Sequence, residues 1–171
     1  MIKLTENCKK IIIFLGNYPE KQFFSKEIAD KLNISLGGTH NSLKYLAKEN
    51  IIQQEQRGNM KFYRVNQENP LVKQLKITLA VSQLSPLVDK IKNDCLSIIL
   101  FGSASRGEQT ADSDIDLFIV AHNPEAVKEK FVKLKKKLAI NPIIKTPNQR
   151  GELEVKEPEF YEEVKQGIEL L

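Results

Sequence analysis

Two aspartates, Asp114 and Asp116, stand two residues apart in the stretch LFGSASRGEQTADSDIDLFIV, residues 100 to 120. Alternate residues of a strand share one face, so a strand here makes both carboxylates project together, with Cα atoms roughly 6.5 to 7 Å apart. Two such carboxylates repel each other unless a cation lies between them. Because ligands that offer only oxygen suit Mg²⁺ or Mn²⁺, the pair predicts a divalent metal site at Asp114 and Asp116.

A small turn, Gly102 and Ser103, follows an apolar run that is typical of a buried strand. Sheets of α/β proteins commonly bind ligands at this end of a strand, and small residues let a phosphate approach the backbone N–H groups. Arg106, shortly after the turn, supplies positive charge for a phosphate. These residues predict in-line attack at the α-phosphate of a nucleoside triphosphate (NTP), assisted by Mg²⁺ or Mn²⁺.

The acidic stretch has two other interpretations. One is a solvated acidic turn that caps a strand, and Asp112 is assigned to such a turn. The other is a calcium loop that starts at Asp112, but Leu117 and Asn123 stand where that loop requires Gly and Glu. The nucleotide and metal site is therefore preferred to both.

The stretch FGSASRGEQTADSDIDLFIV resembles the signature of the nucleotidyltransferase superfamily related to DNA polymerase beta, in particular its minimal members, and the resemblance covers about residues 94 to 145. It implies that Asp114 and Asp116 bind metal and are the catalytic residues. It also implies a set of nucleotide-binding residues: Gly102, Ser103, Arg106 and Ser113.

The same family usually supplies a third carboxylate from a later strand. The corresponding segment here, residues 140 to 145, contains no Asp or Glu, and Asn141 is its nearest oxygen-bearing side chain. Glu152 or Glu154 would replace the missing acid if the chain after Pro147 folds back. Loss of the third acid would leave a protein that binds nucleotide and metal but transfers slowly or not at all.

Several elements must position these residues. Apolar runs predict strands over residues 95–101 and 115–120, with a third candidate over 140–145. A basic amphipathic helix is predicted over 124–138, with its inward face formed by Val127, Phe131, Leu134 and Leu138. A last helix is predicted over 159–171, burying Phe160, Val164 and Ile168 at helical spacing.

The N-terminal part has a different pattern. Apolar spacing predicts a helix over 3–15, a short helix capped by Ser25, and a third helix from Leu36 or Thr39 to Glu49. A period of two then predicts a β-hairpin over 51–56 and 60–65. Over residues 8 to 66 this order resembles the winged-helix transcription regulators. The predicted fold class is therefore α+β: a winged helix-turn-helix of three helices and a hairpin, then a small mixed-sheet α/β nucleotidyltransferase domain.

The charge distribution suggests a polyanionic partner for the N-terminal part. Residues 1 to 70 hold 11 Lys and Arg against 7 Asp and Glu, whereas residues 71 to 171 hold 15 of each. Duplex DNA is the partner that the winged helix implies, although such folds also bind protein. The predicted DNA-facing residues lie on the third helix and the wing: Thr39, His40, Asn41, Lys44, Tyr45, Lys48, Arg57 and Lys61.

The domain limits are predicted as 1–66 for the winged helix, 67–92 for a helical connector and 93–171 for the nucleotidyltransferase domain. Ser85 and Pro86 break the helical pattern of the connector, which permits a kink. Leftover apolar surface on the connector suggests a homodimer seam. No apolar run is long enough to cross a membrane and no export signal is visible, so we expect a cytoplasmic protein with Cys8 and Cys95 reduced.

Two functions are consistent with these residues and patterns. In the first, a DNA-binding protein carries an active nucleotidyltransferase that moves an NMP from an NTP to a hydroxyl of a protein or small molecule. In the second, a transcription regulator or antitoxin-like protein uses a weak or inactive domain as a nucleotide sensor or as a module that binds a partner protein such as a toxin.

Overall fold

The computed structural model describes residues 4–134 and 139–171. The chain divides into two compact units, the first ending at Lys76 and the second beginning at Ile77. This division falls inside the long helix α4 (Pro70–Ile91). The other elements of the first unit are, in chain order, α1 (Glu6–Asn17), β1 (Phe23–Phe24), α2 (Ser25–Leu32), α3 (Leu36–Lys48), β2 (Ile52–Arg57) and β3 (Met60–Val65).

The first unit has the predicted arrangement of three helices and a hairpin. Its sheet has the order β1-β3-β2, and both pairings are antiparallel. One apolar cluster fills the space between the helices and the hairpin, including the fully buried Ile11, Leu15, Ile28, Leu43 and Leu46. Burial of these residues at helical spacing explains why the sequence pattern identified the helices.

The ends of two helices refine the predictions. Ser25 is the first residue of α2 and is buried, so it is not the N-cap; Phe24 occupies that position, and its backbone N–H donates to the Glu27 carboxylate at 2.9 Å. α3 begins at Leu36 because Ser35 caps it, with the Ser35 hydroxyl accepting from the Gly38 N–H at 3.2 Å.

The second unit contains the rest of the chain from Ile77. Its elements after α4 are a 3₁₀ turn (Lys92–Asp94), β4 (Ser97–Phe101), α5 (Gly102–Ser105), β5 (Ile115–Val120), α6 (Pro124–Leu134), β6 (Ile140–Lys145), α7 (Pro147–Lys156), α8 (Pro158–Lys165) and β7 (Ile168–Glu169). The sheet has the order β6-β5-β4-β7; β5 runs parallel to β6 and antiparallel to β4. The mixed sheet confirms the predicted α+β class.

Apolar clusters cover both faces of this sheet. On one face Leu117 and Ile119 of β5 pack with residues of α4 and α6, such as Leu84 and Phe131. On the other face Phe118 and Val120 pack with Leu153 of α7 and Val164 of α8. Strand β5 is therefore buried on both sides, and Asp116, its second residue, is half-buried.

The predicted break at Pro86 is wrong, because α4 continues through it to Ile91. Leu84, Leu87, Val88 and Ile91 on both sides of the proline are buried in one cluster, and this packing outweighs the loss of one backbone hydrogen bond.

The predicted C-terminal helix is also wrong beyond Lys165. The chain turns at Gly167, and Ile168 joins the sheet as β7, opposite Leu100. At Gly167 the backbone passes so close to β4 that a Cβ would lie 2.5 Å from the Leu100 carbonyl oxygen. The helix α7 was not predicted.

Other predictions fall partly outside the described residues. Val127 and Phe131 of α6 are buried as expected, whereas Leu134 and Leu138 lie outside the side chains that the structure describes.

Cys8 and Cys95 are free cysteines, and burial raises the pKa of the Cys95 thiol to about 11. Among the described residues, no helix is long and apolar enough to cross a membrane.

Candidate functional site

The Gly102 turn and the Asp116 carboxylate are in direct contact. Antiparallel pairing sets Phe101 at the end of β4 opposite Asp116 on β5, so the turn after Phe101 begins beside that carboxylate. Gly102 has φ +69°, and a Cβ there would lie 2.7 Å from Asp116 Oδ2. Only glycine satisfies both the backbone conformation and this close approach.

Asp114 immediately precedes β5 and is exposed, whereas Asp116 is half-buried. The strand residues Ile115 and Leu117 are buried in the core on the opposite face, as predicted. Asp112 is exposed in a turn, consistent with its assignment as a turn residue.

Asn141 lies where a third carboxylate was expected. The parallel register of β5 and β6 sets Asn141 opposite Asp116, and its Nδ2 donates a hydrogen bond to Asp116 Oδ1 at 2.9 Å. One oxygen of Asp116 is thus held by the amide while the other faces Gly102.

Neither glutamate that was considered as a replacement completes an acidic site. Glu152 lies on α7, where its carboxylate pairs with Lys156 at 2.9 Å, and Glu154 lies on the same helix. Among the described residues, no group of three or more His, Cys, Asp and Glu side chains is placed to hold a metal ion.

Arg106 is held by two carboxylates. Its Nε donates to Glu108 Oε2 at 3.0 Å and its Nη1 to Glu163 Oε1 at 3.2 Å. These partners, Glu108 first, raise the pKa of Arg106 above its already high value. Nε and Nη1 are thus engaged by carboxylates, and the side chain is half exposed.

Ser103 and Ser113, both predicted to bind the nucleotide, have different structural surroundings. Ser103 is half-buried in α5, and its carbonyl accepts from the Glu108 N–H at 2.9 Å. Ser113 closes the turn before Asp114, because its hydroxyl accepts from the Thr110 N–H at 2.9 Å. Ser113 therefore fixes the loop that leads into the aspartates.

The residues present fit a divalent cation coordinated by oxygen. Asp114 and Asp116 supply carboxylate oxygens, and the Asn141 amide carries a neutral carbonyl oxygen. The absence of a Cβ on Gly102 leaves room beside Asp116 Oδ2, which a Cβ would approach to 2.7 Å. Two charged ligands are a smaller set than three, so we expect weaker metal binding than three carboxylates would give.

A family model described as nucleotidyltransferase domain matches residues 76–168, more than half of the chain. The chain belongs to the nucleotidyltransferase domain family. This match confirms the family expected from the Gly102 to Asp116 pattern, and domains of this family generally use a divalent metal and an NTP.

Solved structures with similar features are distant in sequence. A possible transcriptional regulator from Methanosarcina mazei Go1 is 17% identical, with 53% of this chain and 78% of that chain covered and a TM-score of 0.38. A mutant of Lactococcus lactis ZitR is 22% identical, with 54% and 63% covered and a TM-score of 0.42. The adhesin competence repressor AdcR from Streptococcus pyogenes is 17% identical, with 52% and 68% covered and a TM-score of 0.40. No curated protein matches the chain.

Outside the nucleotidyltransferase domain, a groove of about 1120 Å³ lies between α3 and the hairpin of the first unit. Its described lining contains no Asp or Glu. Its polar lining consists largely of lysines and carboxamides: Lys26, Lys44, Lys48, Lys61, Asn41, Asn50, Gln53, Gln54, Gln56 and Asn59. Such a surface provides positive charge and hydrogen-bonding groups without a carboxylate to repel phosphate.

Five of the predicted DNA-facing residues line this groove: His40, Asn41, Lys44, Lys48 and Lys61. All five are exposed. Lys26 of α2 and the wing carboxamides also line it but were not predicted. Lys26 is exposed in the first turn of α2, and a lysine at the start of the helix before α3 is the sequence signal that would have included it.

Thr39 was predicted to face DNA, and this prediction is wrong. Its side chain is fully buried, and its hydroxyl donates to the Ser35 carbonyl at 3.1 Å. The helix begins at Leu36, so Thr39 is turned toward the core while His40 takes the exposed face.

Arg57 is exposed on the wing, but it lies on the hairpin face opposite Lys61. Its Nε donates to Glu55 Oε1 at 2.7 Å, its Nη2 donates to Gln22 at 2.6 Å, and its guanidinium stacks over Phe62. The hydrogen bond from Arg57 is the main reason that the pKa of Glu55 is lowered from 4.5 to about 2. Arg57 therefore organises the wing and is not among the groove residues.

Proposed function

We propose that this chain is a duplex-DNA-binding regulator whose nucleotidyltransferase domain binds a metal–NTP complex and transfers NMP slowly or not at all. The observation that carries the proposal is the hydrogen bond from the Asn141 amide to Asp116, at the position of the expected third carboxylate. A neutral amide that donates to Asp116 cannot accept a proton from an attacking hydroxyl at neutral pH.

In this proposal the nucleotide occupies the turn after β4. Gly102 and Ser103 offer backbone N–H groups to the phosphates, and Asp114 and Asp116 hold Mg²⁺ or Mn²⁺ with the Asn141 carbonyl as an additional neutral ligand. The bound cation would supply charge neutralisation for the triphosphate. Arg106 would exchange Glu163 or Glu108 for a phosphate oxygen.

The proposed DNA site is the groove of the first unit. The lysines at 26, 44, 48 and 61 would contact phosphates while His40 and Asn41 approach base edges. The test is fluorescence anisotropy with labelled duplexes over a range of salt concentrations. Affinity that falls steeply with salt supports the proposal, and absent or salt-insensitive binding contradicts it.

A second function is an active transferase that moves NMP from an NTP to a hydroxyl of a protein or small molecule. The close contact between the Gly102 turn and Asp116 favours it, because the proposed phosphate-binding turn then lies beside a proposed metal ligand. Labelling of acceptors from radioactive NTPs in Mg²⁺ tests it. Turnover that disappears in the double variant Asp114→Ala, Asp116→Ala would establish the transferase and overturn the weak-domain proposal.

If the domain transfers NMP slowly or not at all, as proposed first, it would serve as a nucleotide sensor or as a docking module for a partner protein, in the manner of an antitoxin that binds a toxin. This function is also compatible with a homodimer of the chain. The dependence of DNA affinity on added ATP or GTP with Mg²⁺ distinguishes these roles. A change in affinity indicates a sensor, and unchanged affinity indicates a docking module.

A further inference from the structure

We propose that Leu36 contacts the 5-methyl group of a thymine in the major groove, so that the first unit distinguishes a T·A pair at that point of its duplex site. The inference rests on the proposed DNA binding and adds to it the base that the start of α3 recognises.

Leu36 occupies the position from which a recognition helix touches bases. It is the first residue of α3, directly after the Ser35 cap, and 47% of its surface is exposed. In helix-turn-helix proteins the N-terminal residues of the second helix contact base edges. The thymine methyl is the apolar group that the major groove presents, and apolar side chains recognise it.

The surroundings of Leu36 leave room for a base pair. Among the described residues, nothing lies within 4 Å of the point where a Cβ on the neighbouring Gly37 would stand. His40, one turn along α3, and Asn41 line the same groove and offer hydrogen bonds to adjacent bases. Leu36 is thus an exposed apolar side chain beside hydrogen-bonding groups of the same groove.

The charge of the groove selects DNA as the occupant over an apolar protein segment. Leu36 shares the groove with four lysines, and no Asp or Glu is present in its described lining. A polyanionic duplex matches that charge, and lysine contacts to its phosphates would set the first turn of α3 against the bases.

The experiment first uses the full chain to select duplexes from a randomised library. Each thymine of a selected duplex is then replaced by deoxyuridine, which removes only the methyl group. We expect one position at which this change weakens binding roughly fourfold, the value for one buried methyl group. In Leu36→Ala the same thymine and deoxyuridine duplexes should bind equally.

Leu96→Ala is the matched control, because Leu96 is 50% exposed, close to the 47% of Leu36, and lies outside the groove lining. It should retain the discrimination against deoxyuridine. If a duplex is selected but no position is sensitive to the methyl group, or Leu36→Ala keeps the full sensitivity, the inference is wrong while DNA binding stands. If no duplex is enriched, both the inference and the proposed DNA binding fail.

Discussion

Asn141 decides how far the proposed metal site departs from the usual pattern of the nucleotidyltransferase family. The side chain lies within hydrogen-bond distance of Asp116, so a carboxylate in its place would face the same oxygen. We predict that Asn141→Asp raises the affinity for Mn²⁺ by about tenfold, or about 1.4 kcal/mol, because a third charged ligand joins the pair. Calorimetric titration with Mn²⁺ measures it.

Asn141→Ala provides the control for that variant, because it removes the amide without adding charge. We expect it to bind Mn²⁺ no more tightly than the natural chain. Equal Mn²⁺ affinity in the natural chain and in Asn141→Asp would show that residue 141 does not lie at the metal site.

Glu55 gives a test of the wing that depends on pH. Its pKa is about 2 in the folded chain and 4.5 in the absence of its partners, chiefly because Arg57 donates to it. A carboxyl whose pKa is depressed on folding stabilises the fold above the unfolded pKa, and this contribution is lost as pH falls from about 4.5 toward 2. NMR titration should therefore show Glu55 ionised at pH 3.5, and Arg57→Ala should return its pKa toward 4.5. A Glu55 pKa near 4.5 in the natural chain would contradict the ion pair.

The contacts near Gly102 and Asp116 were predictable where they depend on chain neighbours and less so where they depend on distant residues. Asp114, Asp116 and Gly102 follow from local spacing, since the residues that bring them together are neighbours in the chain. The contact between Asn141 and Asp116 depends on strand register 25 residues apart, and the capture of Arg106 by Glu163 spans 57 residues. The family resemblance pointed to Asn141 at the position of the third acid, whereas nothing in the sequence indicated the pairing of Arg106 with Glu163.

At the scale of elements, the pattern of apolar residues did not predict the short strands. β1 and β7 contain two residues each, too few for an alternation to be visible. Ile168 continued the helical spacing of Phe160 and Val164, yet the chain left the helix after Lys165 because Gly167 allows a close approach to β4. Helices α1 and α3 were predictable because their buried residues repeat at helical spacing. The hairpin was predictable because Gly58 marks its turn, although β2 buries only Ile52.

Gly167 is predicted to be essential for docking β7. Gly167→Ala should lower the free energy of unfolding by about 1 to 3 kcal/mol, since the Cβ would lie 2.5 Å from the backbone oxygen of Leu100 and 2.6 Å from Ile99. Urea unfolding measures the change. In the control Gly151→Ala on α7, nothing among the described residues lies within 4 Å of the new Cβ, and stability should rise by about 0.5 to 1 kcal/mol. Equal effects of the two variants would contradict the packing at Gly167.

Helix α3 and its lysines give a prediction on salt dependence. If Lys44 and Lys48 contact phosphates, the double variant Lys44→Ala, Lys48→Ala should reduce the slope of log affinity against log salt by about 1.8. The control removes Lys9 and Lys10, which are exposed on α1 and are not part of the groove lining. A slope that changes equally in both double variants would contradict a specific role for α3.

At the scale of the whole molecule, the chain combines a unit with a basic groove and a unit with a nucleotidyltransferase fold. The excess of Lys and Arg in residues 1 to 70 suggested that the basic surface belongs to the first unit. The order of helices and strands along the sequence predicted the fold of each unit. The proposed function of each unit depends on groups that the other does not contain, so nucleotide binding and DNA binding can be measured separately.

The most direct test of the proposed metal–nucleotide site is calorimetric titration of ATP and GTP, each with Mg²⁺, into the natural chain and into the double variant Asp114→Ala, Asp116→Ala. We predict one nucleotide bound per chain, with binding weakened at least about tenfold in the variant as its two carboxylate ligands are lost. Nucleotide binding of equal strength in both proteins, or its absence from the natural chain, would contradict a metal–nucleotide site at Gly102, Asp114 and Asp116.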